Sequence, residues 1–465
     1  MMKIFNRSIL LTIAVAVSVF LAACVTMPGS KADNANKNLT IPKRYDATQP
    51  PVPQVANGLL SLFPDSRMSS YVSRAMNSNP DLRASAARLE EAGFNTRKAY
   101  APLVPSLTAN AGASRARSAG VGTTATATTA NRYATSLDAQ WEIDVWGRIR
   151  AGVTAAAGDR AAAAADYASA KQSIAAQTMQ AYFSLVAADK LLGLSNRRLN
   201  SFQKTLDLVN RRFEAGTGSL GDVELAKTDV ENTRAQVDQR KDTRDQAARS
   251  LAALTGAYPD AQARASSWPS LRRSVPAGIP SNVLLNRPDI DAAYQRIRAA
   301  DSRVTVAHRD LYPSFALTAS AGQQSSTLRN LANSNFNVWS FAGNIAAPLI
   351  DGGSRRSELG AANARAKQAL ASYQSTVLNA FQEVENALGS ERYLQSQQNS
   401  YQSALKAAKN AEDRIRRNYE TGLVEILTLL DAQRRSFDTE ESLINTQALR
   451  YQNRVSLALA LGKGL

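Results

Sequence analysis

The chain has 465 residues, with 55 Lys and Arg against 39 Asp and Glu, a formal charge of +16 at neutral pH. One His and one Cys leave almost no raw material for a His/Cys metal site or a Ser-His-Asp triad. Hydrophobic residues make up 44%, enough for a core, and the arginines are spread along helix-forming stretches beside Glu and Asp. They read as solvated helix faces, so no nucleic-acid partner is expected.

Lys3 and Arg7 give a positive start, followed by an apolar run from Ile9 to Ala22 of signal-peptide length. It ends in Leu21-Ala22-Ala23-Cys24, which resembles the bacterial lipoprotein box. That resemblance implies a signal peptide over 1–23 and a covalent lipid on Cys24, with no other cofactor. Residues 24–57 hold Pro42, Pro50, Pro51 and Pro53 among polar residues and read as a lipidated tether. No later stretch reaches 18 apolar residues, the length of a membrane helix.

Two copies of one unit follow. Asn79-Pro80-Asp81-Leu82 returns as Arg287-Pro288-Asp289-Ile290, an offset of 208 (287 − 79). Arg211 to Gly216 returns as Arg417 to Gly422, an offset of 206 (417 − 211). The first repeat is set at 58–265, a linker at 266–286 and the second repeat at 287–465. Each copy is expected to run short helix, two strands, very long helix, turn, long helix.

Strands are expected near 104–116 and 133–145, then near 313–323 and 337–350. Leu107, Ala109, Ala111 and Ala113 alternate with Thr108, Asn110, Gly112 and Ser114. Leu137, Ala139, Trp141 and Ile143 alternate with Asp138, Gln140 and Glu142. Each run matches a tilted strand that crosses a bilayer, although a half-buried soluble sheet would alternate in the same way. Helical hairpins are expected over 147–256 and 354–462. Leu185, Leu192, Leu199, Leu206 and Phe213 recur every seven residues, with Ala188, Ser195, Phe202 and Val209 between them. The second copy repeats the seam from Leu359 through Ala366, Tyr373 and Ala380 to Ile415. A helix of this length, roughly 100 Å at 1.5 Å per residue, must pack against its return helix as a coiled-coil hairpin.

The lipoprotein signal and the strand lengths together point to an outer-membrane barrel. Four strands leave two open edges, which hydrocarbon does not tolerate, so copies must combine. A homotrimer supplies twelve strands and is the first ring with an open passage. The expected fold class is therefore an α+β membrane protein: a trimeric 12-stranded barrel continued by a coiled-coil helical tunnel, with an internal two-fold repeat.

Gly278 to Ile290 closely resembles the linker signature of the TolC-like outer-membrane efflux proteins, in their lipoprotein branch with OprM-like and NodT-like members. Trp141 to Arg148 and Leu427 to Arg434 resemble two further signatures, and the likeness spans about 40–464. It implies an outer-membrane channel of a tripartite efflux system, a passive duct for drugs or other small toxic compounds, and no enzyme activity. The implied partners are a periplasmic adaptor, an inner-membrane pump and outer-membrane lipid. A type I protein secretion duct, or a periplasm-spanning lipoprotein without a lumen, remain as alternatives.

Gly216-Thr217-Gly218-Ser219-Leu220-Gly221 fits G-x-G-x-x-G, but a heptad helix precedes it instead of a strand. It reads as a helix C-cap followed by a Ser219–Asp222 N-cap. His308 precedes a strand and is expected to pack. The acid pairs Glu90-Glu91 and Glu440-Glu441 are expected to be solvated. Gly216 and Gly422 end the long heptad helices and mark the periplasmic turns. By resemblance these turns, with Gly218 and Leu423, meet the adaptor. Leu427 and Asp431, four residues apart, share a helix face just past Gly422, and the resemblance implies a gate of Leu and Asp rings at these positions. Arg434 is expected to tie this helix to Asp222 or Glu224.

Overall fold

A computed structural model of the chain describes residues 27, 29–37, 39, 41–42, 45–46, 58, 63–119, 127–269, 271 and 280–462. The signal segment, Cys24 and much of the tether and linker lie outside the described residues. The main elements come in two rounds. The first holds α1 (Ser66–Ser78), α2 (Pro80–Tyr100), β1 (Ser106–Ser118), β2 (Thr128–Ile143), α3 (Arg148–Glu214) and α4 (Leu220–Leu254). The second holds α5 (Pro280–Asn286), α6 (Pro288–Arg309), β3 (Ser314–Ser325), β4 (Asn337–Ala346), α7 (Ser354–Glu420) and α8 (Ile426–Ala460). Both long helices have 67 residues and both return helices have 35. Their starts lie 206 residues apart (354 − 148 and 426 − 220), the offset seen in the sequence.

The recurring x-Pro-Asp signature opens a helix in each round, by different means. In the first, the Asn79 side chain accepts from the amides of Asp81 (2.9 Å) and Leu82 (3.1 Å), and Pro80 takes the first helical position. Pro has no N–H to leave unsatisfied there. In the second, Arg287 cannot cap. Its guanidinium instead binds both oxygens of Asp289 (3.0 and 2.7 Å), Glu383 (2.6 Å) and the Ala460 carbonyl (3.1 Å).

The chain forms two compact units, each drawing on both rounds. The first takes residues 90–162 and 293–373 with the N-terminal segment, and contains the sheet. The sheet is antiparallel with order β1-β2-β3-β4, so among the described residues β1 and β4 each pair on one side only. β2 begins at Thr128, five residues before the expected start, because Thr128 to Arg132 pair with Ser118 to Ser114. β4 ends at Ala346 and not at 350. Pro348 has no amide to donate, and Leu349 and Ile350 lie outside the ladder.

The two faces of the sheet differ in chemistry. Register places Leu107, Leu137, Trp141, Phe315, Leu317, Trp339, Phe341 and Ile345 on one face. Trp339 is 81% exposed and Phe341 68%. On the other face Asp138 accepts from Asn110 (2.6 Å) and Ser136 (2.7 Å), and Arg132 donates to Gln324 (2.8 Å). Where β2 runs into α3, Gly147 turns at φ +77°, and Asp144 accepts from the amides of Ile149 and Arg150 at 3.0 and 2.9 Å. Burial opposes the Asp144 charge, but these bonds and the Arg150 guanidinium hold its carboxyl below the usual range.

In the same unit the N-terminal segment is clasped. A single oxygen of Asp301 on α6 accepts from Ser30 Oγ (2.9 Å) and from the amides of Lys31 (2.7 Å) and Ala32 (2.8 Å). Tyr373 donates to the Asn36 side chain at 2.7 Å. His308 is buried edge-on against Tyr312, ring centroids 5.7 Å apart, in the expected packing role.

The second unit takes residues 39–89, 163–292 and 374–465. One of its cores is aromatic: Phe63, Tyr182, Phe183 and Tyr451 are buried together, with Trp268 stacked on Tyr451 at 4.6 Å. On α3 only one of the two heptad rows is buried throughout. Ala188, Ser195, Phe202 and Val209 are buried, but Leu192, Leu199 and Leu206 are half-buried and Phe213 is 43% exposed. On α7, Leu359, Ala366, Tyr373, Ala380 and Ala387 are buried in five successive heptads, after which the seam opens.

Candidate functional site

The sequence places its candidate residues at the two turns that join the long helices. Both turns are built in the same way. Gly216 sits at φ +72° and Gly422 at φ +76°, the left-handed region that ends a helix cheaply only for glycine. The following amides reach back five residues, Thr217 to the Arg212 carbonyl (2.9 Å) and Leu423 to that of Asn418 (2.8 Å). Gly218 packs close, since a Cβ there would meet the Phe213 nitrogen at 3.2 Å. Leu423 is 74% exposed. Ser219 and Asp222 then form the expected capping box at the start of α4 (3.1 and 3.3 Å).

The two turns are joined by a contact that has no counterpart in the sequence pattern. Arg212 donates to the Tyr419 carbonyl at 2.8 Å and lies 4.8 Å from the centre of the Tyr419 ring. Burial raises the Tyr419 phenol pKa, against the pull of that guanidinium. Beneath the turns Phe202, Val209, Ala226, Val230, Leu429 and Leu430 form a buried apolar cluster.

Leu427 and Asp431 stand on the exposed side of α8, opposite Leu429, Leu430 and Gln433. Leu427 is 55% exposed, and Asp431 pairs with Arg435 one turn further on (2.8 Å). Arg434 does not reach Asp222 or Glu224. One of its terminal nitrogens donates to both oxygens of Asp229, at 2.8 and 2.7 Å. The reason is geometric. Asp229 lies nearly as deep in α4 as Arg434 does in α8, whereas Asp222 is committed to the capping box.

Neighbouring positions on α8 tie it to other helices. Gln433 is fully buried and exchanges hydrogen bonds with Thr205 (2.9 and 3.3 Å) on α3. Glu440 and Glu441 are not solvated as expected. Glu440, only 17% exposed, pairs with Arg197 on α3 and with Lys409 on α7, while Glu441 reaches Arg240 on α4. Glu90 and Glu91 are exposed, as expected. A buried Gln at the heart of a Leu-rich run is the one signal here that could have been read from sequence.

No group of His, Cys, Asp and Glu suited to a metal ion occurs among the described residues, and none of their helices is long and apolar enough to cross a membrane. The family model described as outer membrane efflux protein matches residues 71–257 and 279–463. The chain belongs to the outer membrane efflux protein family.

Among relatives of this family, the chain is 28% identical over 457 residues to the cation efflux system protein CusC of Escherichia coli O6:H1, covering 96% of this chain and 97% of that one. It is 31% identical over 409 residues to the outer membrane protein OprJ of Pseudomonas aeruginosa, covering 87% and 85%. The solved structure of the outer-membrane channel OprN superposes with a TM-score of 0.87 at 28% identity, covering 95% of this chain and 99% of that one. The outer membrane efflux protein described here is thus a helix-rich chain with a four-stranded sheet and an outer-membrane location.

Proposed function

We propose that this chain is the outer-membrane channel of a tripartite efflux system. It forms a homotrimer whose twelve strands close a barrel and whose hairpins line a periplasmic tunnel. The observation that carries this is the sheet. Two unpaired edges, one strongly apolar face and one hydrogen-bonded polar face suit a barrel segment that completes itself with copies, lipid outside and water inside. CusC is named for cation efflux. For this chain the export cargo is small toxic compounds such as drugs, with selection made by the pump.

The periplasmic adaptor meets the turns at Gly216, Gly218, Gly422 and Leu423, and the pump lies beyond it in the inner membrane. Leu427 forms a dewetting ring and Asp431 a polar ring on the trimer axis, while Arg434 latches α8 through Asp229. Cys24 carries the lipid. The test is purification from outer membranes followed by gel analysis and planar-bilayer recording. Heat-resistant trimers with discrete conductance are expected. A monomeric helical rod without conductance would remove the lumen and leave only a spacer.

A further inference from the structure

The charge on the sheet is segregated in a way that the duct does not require. Residues 106–137 contain three arginines, Arg115, Arg117 and Arg132, and no Asp or Glu. Residues 314–350 contain Arg329 and no other charged residue. The part of the sheet and its loops far from the helices is therefore purely cationic.

Arg132 belongs to the polar face, bound to Gln324. Arg115 and Arg117 do not. They continue the row Leu107, Ala109, Ala111, Ala113 on the apolar face, because residues two apart on a strand share a side. Both are exposed, and neither has an ion pair among the described residues. Register places Arg115 opposite Asn131 and Arg117 opposite Thr129, with Tyr133 two residues along β2 from Asn131.

The height of these residues decides their surroundings. Asn131 lies twelve residues up β2 from Ile143 (143 − 131), where the apolar face starts. At about 3.3 Å per residue and a tilt of about 40°, that is roughly 30 Å, just above an apolar band about 25 Å tall. Tyr133 falls at the boundary, where Tyr is favoured. Two unpaired guanidiniums thus stand on the lipid side of the wall, at the level of the outer-leaflet headgroups. A guanidinium there lacks a protein counter-charge, and its fork geometry matches phosphate.

We propose that Arg115 and Arg117 form a binding site for the phosphates of an anionic glycolipid in the outer leaflet. The site rests on the barrel reading above. Arg329, exposed in the loop between β3 and β4, adds to the cationic field. The ligand is a lipid and not free phosphate, because the apolar row directly below the arginines gives acyl chains a wall to lie on.

The experiment uses the full-length protein in detergent and in phosphatidylcholine vesicles. Thermal unfolding of the oligomer is followed with phosphorylated rough lipopolysaccharide, with the same lipid after dephosphorylation, and with inorganic phosphate. Only the phosphorylated lipid is expected to raise the midpoint, by several degrees. Arg115→Ala with Arg117→Ala should lose most of that shift and at least fivefold of the co-purified lipopolysaccharide, while conductance stays at the parent value. Equal shifts from phosphorylated and dephosphorylated lipid, measured on the parent alone, would overturn the site. So would an equal shift from inorganic phosphate, or full lipid retention in the double variant. A parent that neither oligomerises nor conducts would bring down the barrel reading itself, a result distinct from these.

Discussion

One guanidinium nitrogen of Arg434 on α8 holds both carboxylate oxygens of Asp229 on α4. Asp229 is 12% exposed at its side chain and Arg434 43%, so the pair is only half shielded from water. Removing Arg434 should cost on the order of 1–2 kcal/mol, most of it from stranding Asp229, and removing the Asp229 charge breaks the same tie. Asp229→Asn or Arg434→Ala should therefore loosen α8 near its start. Higher single-channel conductance with unchanged trimer yield is expected. The swap of Asp229→Arg with Arg434→Asp should recover part of the closed state, and indifference of conductance to all three would show that the latch does not hold the gate.

Leu427 and Asp431 are a turn apart on the exposed side of α8, and Asp431 is braced by Arg435. Leu427→Ala with Asp431→Ala should widen the constriction and admit large antibiotics added from outside. Drug-susceptibility assays and bilayer recording check this. Parent-like values in both place the constriction elsewhere.

Gly422 holds φ +76°, and a Cβ there would approach Arg212 Nη2 at 3.7 Å. Gly422→Trp therefore strains the backbone by about 1–2 kcal/mol and crowds the Arg212 bridge to the other turn. Gly216 has open space around it, so Gly216→Ala should meet backbone strain alone. Pull-down with the adaptor should fall strongly for Gly422→Trp and mildly for Gly216→Ala, with trimers intact in both. Full adaptor capture by Gly422→Trp would separate this turn from docking.

Tyr451 stacks on Trp268 and donates its phenol hydrogen to the Pro269 carbonyl. Burial pushes its pKa up to about 12, against the pull of Arg454 and Arg450. The unfolded chain ionises near pH 10, so it releases its proton first as pH rises. Stability from the neutral phenol is thus complete below pH 10 and is lost as pH climbs toward 12, by about 2 kcal/mol. Tyr451→Phe should be about 1 kcal/mol less stable at neutral pH but lack this alkaline loss. Denaturation midpoints at pH 8 and pH 11 compare the two, and parallel losses in parent and variant would assign the effect to other groups.

Much of the architecture was legible because it is written in repetition. The 206-residue offset, the two glycine stops and the Ser219–Asp222 cap all reappear as structure. Strand ends were read less well. Backbone pairing carried β2 through polar Thr128 to Arg132, which no hydrophobic alternation marks, and Pro348 cut β4 short of two apolar residues. That Leu427 and Asp431 share one helix face was visible, but the partner of Arg434 was not. Choosing Asp229 over Asp222 or Glu224 depends on the relative depth of two helices 205 residues apart in sequence (434 − 229). Likewise, Glu440 and Glu441 look like one solvated pair in sequence. A helix turns about 100° per residue, which sends the two toward different neighbours.

Asp301 holds the Ser30 hydroxyl and the backbone amides of Lys31 and Ala32. Ser30 lies six residue steps from Cys24 (30 − 24), and a fully stretched chain gains at most about 3.6 Å per step. A lipid carried on Cys24 is therefore on a leash of about 20 Å measured from α6. In the proposed trimer such a lipid could not roam the leaflet around the barrel, and each copy would place its own acyl chains beside its own sheet. In that assembly one carboxylate would set where the proposed anchor enters the membrane, and loss of its side chain would lengthen the leash without cutting it.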